Sequence, residues 1–244
     1  MTDPSKPLAD QVAVITGAGR GIGRAIALAY ARAGAKLVCS ARSADEIKQT
    51  AELIQAEGGS ASAWVADVCD YAAMTALFKH AAEQFGGVDL VLANAGIGGQ
   101  ARKVIDSDPR RWAETLQVNL IGAYHTAHAA IPHLRTRGGG KIIFVGSGTR
   151  TGAAPAMSPY ICSKAALWKL TQVLGVELQE HNITVNELIP GPVKTRMTRF
   201  GDMKFSPGEW GKEPEDLIPL ALFLATQPAL GPTSQSFSLM RRPG

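Results

Sequence analysis

Cysteine is scarce in this 244-residue chain: Cys39, Cys69 and Cys162 are the only three, and no two form a CxxC pair. That usage argues against a disulfide framework and reads as reduced thiols in a cytoplasmic protein. Cys162 lies two residues from Tyr160, yet no motif pairs a histidine with it, so no catalytic thiol is inferred. Long hydrophobic runs are also missing. No segment approaches the length of a membrane span, and the opening MTDPSKPLAD lacks an apolar targeting core, so the expected location is the cytoplasm. Charge of one sign does not dominate either, with 25 Lys and Arg scattered among 21 Asp and Glu. Without a basic run interleaved with aromatics, nucleic-acid binding is not expected. Histidines number five, and His125 and His128 stand three apart without a Cys or carboxylate at ligand spacing. No metal site is expected there, and AYHTAHAAIPHL reads as a small-residue packing face. His80, His133 and His181 read as surface or helix-end residues.

What the chain has is alternation. The β-prone runs QVAVIT (11–16), KLVCS (36–40), ASAWV (61–65), VDLVLA (88–93), KIIFVG (141–146) and ITVNEL (183–188) are separated by helical patterns. These helices run from the glycine turn to Ala33, from Ser43 to Glu57, from Asp70 to Phe85, from Pro109 to Leu134, and through Tyr160 to about Glu180. A last helix in EPEDLIPLALFLATQP and a strand in SQSFSL close the pattern. Such β-α order implies an α/β fold, a doubly wound parallel sheet with helices on both faces. With no repeat or composition break, residues 1–244 read as one domain. Residues 190–213 mix Pro, Gly, Met, Phe and Trp without a period, and read as a substrate loop or lid.

The first strand runs into TGAGRGIG, where Gly17, Gly19, Gly21 and Gly23 precede a helix opening at about Ile22. Strand, glycine turn and helix start together form the context in which such glycines bind a dinucleotide pyrophosphate. The second strand ends CSARS, with Arg42 and no acid before Asp45. A carboxylate there would hold the ribose of NAD, whereas an arginine accommodates the additional phosphate of NADP. Arg42, with Arg20 inside the glycine loop, makes NADP(H) the expected cofactor.

Tyr160 and Lys164 are one helical turn apart in SPYICSKAAL, and Ser147 lies thirteen residues upstream. An ammonium about 5 Å from a phenol, at an effective dielectric of about 20, stabilises the phenolate by about 3 kcal/mol, or roughly two pKa units. On that argument Lys164 lowers the pKa of Tyr160 toward the range useful for general acid/base chemistry.

Taken together, these residues resemble the classical short-chain dehydrogenases/reductases from about Leu8 to the last strand. TGAGRGIG is similar to the family's TGxxxGxG, and ANAG (93–96) to NNAG with Ala93 replacing the first Asn and Asn94, Ala95 and Gly96 retained. Asp67, in VADV beside Val68, sits where the family places an Asp against the adenine. Asn119 in VNLIGAY, Ser147, and Tyr160 with Lys164 match the family's catalytic tetrad. IPGPVKT, carrying Pro190, Gly191, Val193 and Thr195, is similar to the segment that meets the nicotinamide. The resemblance implies a Rossmann-type sheet of seven parallel strands, commonly a tetramer, and a mechanism. Tyr160 exchanges a proton with the substrate oxygen while hydride passes between cofactor and carbon, and Ser147 hydrogen-bonds that oxygen. Lys164 lowers the phenol pKa and binds the nicotinamide ribose, and Asn119 holds a water linking Lys164 to solvent.

Three departures stand out. Gly146 precedes Ser147 where a second Ser is common, Pro159 precedes Tyr160, and the chain ends QSFSLMRRPG where many relatives have VDGG. Pro159 suits the first turn of a helix, where a missing N–H costs little. Phe200, Met203, Phe205 and Trp210 read either as pocket lining or as a hydrophobic cover. Arg196, Arg199 and Lys204 read either as a solvated face or as a surface for an acidic substrate or carrier protein. The expected activity is NADPH-dependent reduction of a ketone, with a 3-oxoacyl carrier-protein reductase as one specific form. An oxidative alcohol or polyol dehydrogenase and a non-catalytic NADP sensor are the alternatives.

Overall fold

Aliphatic runs form strands and the patterned stretches between them form helices in the computed structural model, which describes residues 3–198 and 209–240. The strands are β1 (Val12–Thr16), β2 (Lys36–Ala41), β3 (Ala61–Val65), β4 (Leu90–Ala93), β5 (Gly140–Val145), β6 (Ile183–Ile189) and β7 (Ser236–Ser238). They make one seven-stranded sheet in the order β3-β2-β1-β4-β5-β6-β7, with every neighbouring pair parallel. Parallel neighbours need crossovers, and helices supply them. These are α1 (Gly21–Arg32), α2 (Ala44–Ala56), α3 (Tyr71–Phe85), α4 (Pro109–Leu116), α5 (Gly122–Thr136), α6 (Ser158–Glu177) and α7 (Ile218–Thr226).

Alternate side chains of each strand enter two cores. Ile15, Leu37, Leu92 and Ile143 pack with Ile26 and Tyr30 of α1, Ile54 of α2 and Leu224 of α7. Val14, Val38, Val91 and Phe144 pack with Phe78 of α3, Leu134 of α5 and Leu167 of α6 on the opposite face. Covering on both sides is why the central strands read as continuous apolar runs rather than as alternating ones. Among the described residues, no helix is long and apolar enough to cross a membrane.

The helix expected over 109–134 forms without a gap, but it is not α-helical throughout. Between α4 and α5 the turn Gln117–Ile121 widens to π geometry, with Asn119 buried at its centre. A π turn shifts the side-chain register within a helix and often marks a functional position. No helix propensity or periodicity in QVNLI signals it. The last strand is shorter than SQSFSL, although Ser234 N–H and Leu239 N–H still bond the carbonyls of Val185 and Ile189 at 2.8 and 3.0 Å.

Because all strands are parallel, the chain leaves each of them at the same edge. The segments after β1, β2, β3, β4, β5 and β6 therefore converge there, and the sheet order reverses between β1 and β4. In open α/β sheets that crevice is where ligands bind.

Candidate active site

Gly17 and Gly21 adopt left-handed φ values of +66° and +53°. A Cβ on Gly17 or Gly23 would lie 2.8 or 2.6 Å from Asn94 Nδ2. Asn94 explains the crowding, because Nδ2 donates to the carbonyls of Thr16 and Gly17 at 3.0 and 3.1 Å. Thr16 Oγ1 in turn accepts from the N–H groups of Asn94 and Ala95, both at 3.2 Å. Asn94, expected as a cofactor contact, thus spends its amide on clamping the glycine loop. Helix α1 then opens without an acidic residue in its first turn and without a side-chain cap. Its first N–H groups are open to an anion, so the cradle fits a pyrophosphate.

Arg42 follows β2 and points to solvent, 3.9 Å from Asp67 Oδ2, with 64% of its side chain exposed. Asp67 Oδ1 accepts from the N–H of Cys69 at 2.9 Å. Val68 packs on Gly122 at the start of α5, and its carbonyl bonds His125 Nδ1 at 3.0 Å. Arg20 differs from the expectation of a free second cation. Its Nη1 lies 2.7 and 2.8 Å from the two carboxylate oxygens of Glu46 in the first turn of α2. Arg196 reaches the same carboxylate at 3.4 Å. Glu46 sits 26 residues from Arg20, and only the packing of α2 beside the glycine loop brings them together.

The catalytic candidates meet at the carboxyl ends of β4 and β5. Ser147 lies two residues beyond β5, and its Oγ caps the short turn Gly148–Thr151 by accepting from Thr149 N–H at 3.3 Å. Ser158 and Pro159 open α6, so Pro159 occupies the first turn as its chemistry predicts. Tyr160 is half-buried, and the Ser147 side chain acts on its phenol. Lys164 is buried; its Nζ donates to the Val145 carbonyl at 2.7 Å and stands 5.9 Å from the centroid of the Tyr160 ring.

Electrostatics correct the expectation that Lys164 dominates the phenol. Burial is the largest influence on Tyr160 and pushes its pKa up, while the Ser147 hydrogen bond pulls it down. Lys164 itself is shifted down to about 8 by burial, against which the Glu187 carboxylate pulls upward. The one-turn spacing fixed the shared helix face but not the desolvation, which favours the neutral form of both groups.

Asn119 uses its amide inside the protein. Oδ1 accepts from Ile97 N–H at 2.8 Å, and Nδ2 donates to the Ile97 carbonyl at 2.9 Å and to Ser163 Oγ at 3.1 Å. Ser163 passes the link on, donating to the Tyr160 carbonyl at 2.7 Å. Asn119 therefore ties the loop after β4, including Gly96, to the helix of Tyr160.

After β6, Pro190 is buried and Gly191 has φ +73°. Thr195 lies over the glycine loop, its Cγ2 3.3 Å from where a Cβ on Gly21 would be. Val193 forms an isolated parallel bridge with Lys212. Lys212, fully buried, pairs with Glu209 and holds its ammonium 3.8 Å from the Trp210 ring centroid. The two ends of the irregular segment are thus fastened together, and Trp210 stacks on a cation while half exposed. Phe200, Met203, Phe205, Arg199 and Lys204 lie outside the described residues. Ile22, in the first turn of α1, is partly buried against the core. Met240, from the unusual C-terminus, wedges between Gly148 and Gly191.

The histidines have ordinary partners: His128 Nδ1 bonds the Tyr71 hydroxyl at 2.7 Å, and His80 Nε2 bonds Ser62 Oγ at 2.8 Å. Sequence reading missed Glu46, Ser163, Arg150, Glu187 and Lys212. Only Glu187 had a visible signal, an acid in line with Ile183 and Val185 on one face of its strand.

Known proteins align with this geometry. A family profile described as short chain dehydrogenase matches residues 11–203. Dehydrogenase/reductase SDR family member 4 of Homo sapiens is 34% identical over 232 residues, covering 91% of this chain and 84% of that protein. Among solved structures, a 3-ketoacyl-ACP reductase from Sinorhizobium meliloti is 37% identical with TM-score 0.84, over 93% of this chain and 96% of that one. A carveol dehydrogenase from Mycobacterium avium in complex with NAD is 27% identical with TM-score 0.89, over 96% and 97% of the two chains. A gluconate 5-dehydrogenase from Burkholderia cenocepacia in complex with NADP and tartrate is 30% identical with TM-score 0.89, over 97% and 96%. With the seven-stranded parallel sheet, the glycine cradle and the Ser147, Tyr160 and Lys164 cluster at one edge, this chain belongs to the short-chain dehydrogenase/reductase family of oxidoreductases.

Proposed function

We propose that this protein reduces a ketone to a secondary alcohol with NADPH, by proton transfer from Tyr160. The observation that carries the reading is that Tyr160, with Ser147 acting on its phenol, stands beside buried Lys164 at the same sheet edge as the glycine cradle. Gly17, Gly19, Gly21, Ile22 and Gly23 would hold the pyrophosphate, with Asp67 and Val68 at the adenine. Asn94, Ala95 and Gly96, Pro190, Gly191, Val193 and Thr195 would flank the nicotinamide half. When bound, the dinucleotide supplies the hydride.

The residues of the chain do the proton chemistry. Burial keeps the Tyr160 phenol protonated, as a general acid in reduction must be. Ser147 donates to the carbonyl oxygen and stabilises the charge that develops on it. The Lys164 ammonium compensates the phenolate left on Tyr160 after transfer. Asn119 acts here by fixing Ile97 and Ser163; its side chain is engaged with protein at both ends.

NADP(H) is favoured because Arg42 is exposed and only loosely held, 3.9 Å from Asp67, with no acid at the end of β2. The 37% identity to a 3-ketoacyl-ACP reductase supports 3-oxoacyl thioesters as one substrate class. A homotetramer, to be checked by sedimentation, belongs to the same reading. The deciding experiment is a panel of ketones, aldehydes and acyl thioesters with NADPH and NADH, followed at the reduced-nicotinamide absorbance. Consumption of NADPH that disappears in Tyr160→Phe is expected. Turnover retained in Tyr160→Phe would sink the mechanism, and no consumption with any substrate would favour a nucleotide sensor.

A further inference from the structure

Two departures from the family pattern, Gly146 and the C-terminal QSFSL, meet at one buried carboxylate. Glu187 lies on β6, in line with Ile183 and Val185, and so faces α6. Its side chain is wholly buried, and that of Arg150 is 8% exposed. Glu187 Oε2 accepts from Arg150 Nε and from Ser236 Oγ of β7, each at 2.9 Å. Arg150 Nη2 also donates to Ser236 Oγ at 3.1 Å, and its guanidinium lies 4.6 Å from the Trp168 ring centroid. The carboxylate rests across the backbone of Gly146, where a Cβ would fall inside the Glu187 side chain. Oε1 has no hydrogen-bond donor among the described residues.

This carboxylate adjoins the catalytic cluster. Gly146 stands between Val145, whose carbonyl accepts from Lys164 Nζ, and Ser147. β5 and β6 pair in register here, Val145 with Leu188 and Phe144 with Glu187. We propose that Glu187 is the fixed counter-charge of the Lys164 ammonium, a positioning residue aimed by Arg150 and Ser236 through the notch at Gly146. The inference rests on the reading of Lys164 as a catalytic residue.

An ammonium with one carbonyl partner in a fully buried site loses its charge readily, and an opposite charge nearby opposes that loss. Glu187 is the charged group that acts on Lys164 in this way. The groups bonded to Glu187 are Arg150 from the turn after β5 and Ser236 from β7, and Lys164 of α6 acts on it through its charge. Burial raises the Glu187 pKa above the ordinary carboxylate value, and Ser236, Arg150 and Lys164 oppose that rise. Without Glu187, the ammonium would be lost at lower pH and Tyr160 would lose the charge that compensates its phenolate.

The test follows Lys164 directly, by the Cε resonance in protein carrying 13C-labelled lysine, assigned by its loss in Lys164→Arg. The wild-type titration midpoint is expected near 8. In Glu187→Gln, whose one amide oxygen can still accept from both Arg150 and Ser236, the midpoint should fall by about one unit. The alkaline limb of kcat/KM should move down with it. An unchanged midpoint in Glu187→Gln overturns the proposal. The charge-neutral pair Glu187→Gln with Arg150→Met removes both ions and guards against misfolding from an unpaired guanidinium. Its midpoint should stay lowered; a return to the wild-type value would show that the freed Arg150 charge, not the loss of Glu187, caused the shift, and would also overturn the proposal. A wild-type protein that reduces no carbonyl refutes the proposed function alone, since the titration is still readable.

Discussion

Asn119 grips both backbone polar groups of Ile97, accepting from its N–H at 2.8 Å and donating to its carbonyl at 2.9 Å. The π turn Gln117–Ile121 carries this amide into the space between the loop after β4 and α6. Asn119→Leu would orphan both groups of Ile97, at a cost of about 1–3 kcal/mol for each group left unpaired. A melting temperature lower by several degrees and a raised NADPH dissociation constant are expected. An unchanged melt and unchanged affinity would show that Asn119 does not organise this loop.

Lys164 donates to Val145 rather than to Tyr160, and burial shifts its pKa down to about 8, which on the proposed mechanism should set a pH limit on reduction. Below that value the ammonium is present, and above it the charge that compensates the phenolate is lost. kcat/KM for reduction should therefore fall as pH rises through about 8. A reductive profile flat to pH 10 would contradict the assignment.

The same group makes stability depend on pH. Folded Lys164 releases its proton near 8, whereas the unfolded side chain holds it to about 10.5. Between those values the unfolded state binds more protons, so stability rises with pH in this window. Relative to Lys164→Met, the wild type should gain on the order of 3 kcal/mol from pH 8 to 10.5. Denaturant midpoints of the two proteins across that range give the difference, and parallel curves would refute it.

Cofactor preference turns on Arg42 and Glu46. Arg42→Asp should shift the ratio of kcat/KM for NADPH over NADH downward at least tenfold, as expected for losing a charged hydrogen bond and adding a repelling charge. Glu46→Gln frees Arg20, which Glu46 now holds at 2.7 Å, and should tighten NADPH binding several-fold. If Glu46→Gln weakens NADPH, the glycine loop depends on that ion pair for its shape.

Gly146 is required by contact and not by backbone twist, since its added Cβ would overlap the Glu187 carboxylate. Gly146→Ala should cost about 1–3 kcal/mol, the usual penalty of overpacking. In a Glu187→Ala background the same change should cost less, giving a non-zero coupling in a double-mutant cycle. Additive costs would mean that the two residues do not share the space.

The sequence by itself determined the order of the elements and the edge at which the site forms. β-prone runs alternating with helical patterns admit few arrangements other than a parallel sheet, and a parallel sheet sends the residues after every strand to one side. TGAGRGIG, Arg42, Asn94 and Ser147 follow strands directly, so their convergence was legible. Tyr160 and Lys164 needed only the pitch of a helix. Tertiary structure alone decided what surrounds them. Glu46 reaches Arg20 across 26 residues and Glu187 reaches Arg150 across 37, contacts that no local period encodes. The π turn at Asn119 follows from where Ile97 lies, not from QVNLI. Charge balance at Tyr160 and Lys164 was likewise hidden: spacing gives the distance between a phenol and an ammonium, but burial sets how much each is desolvated, and burial belongs to the whole fold.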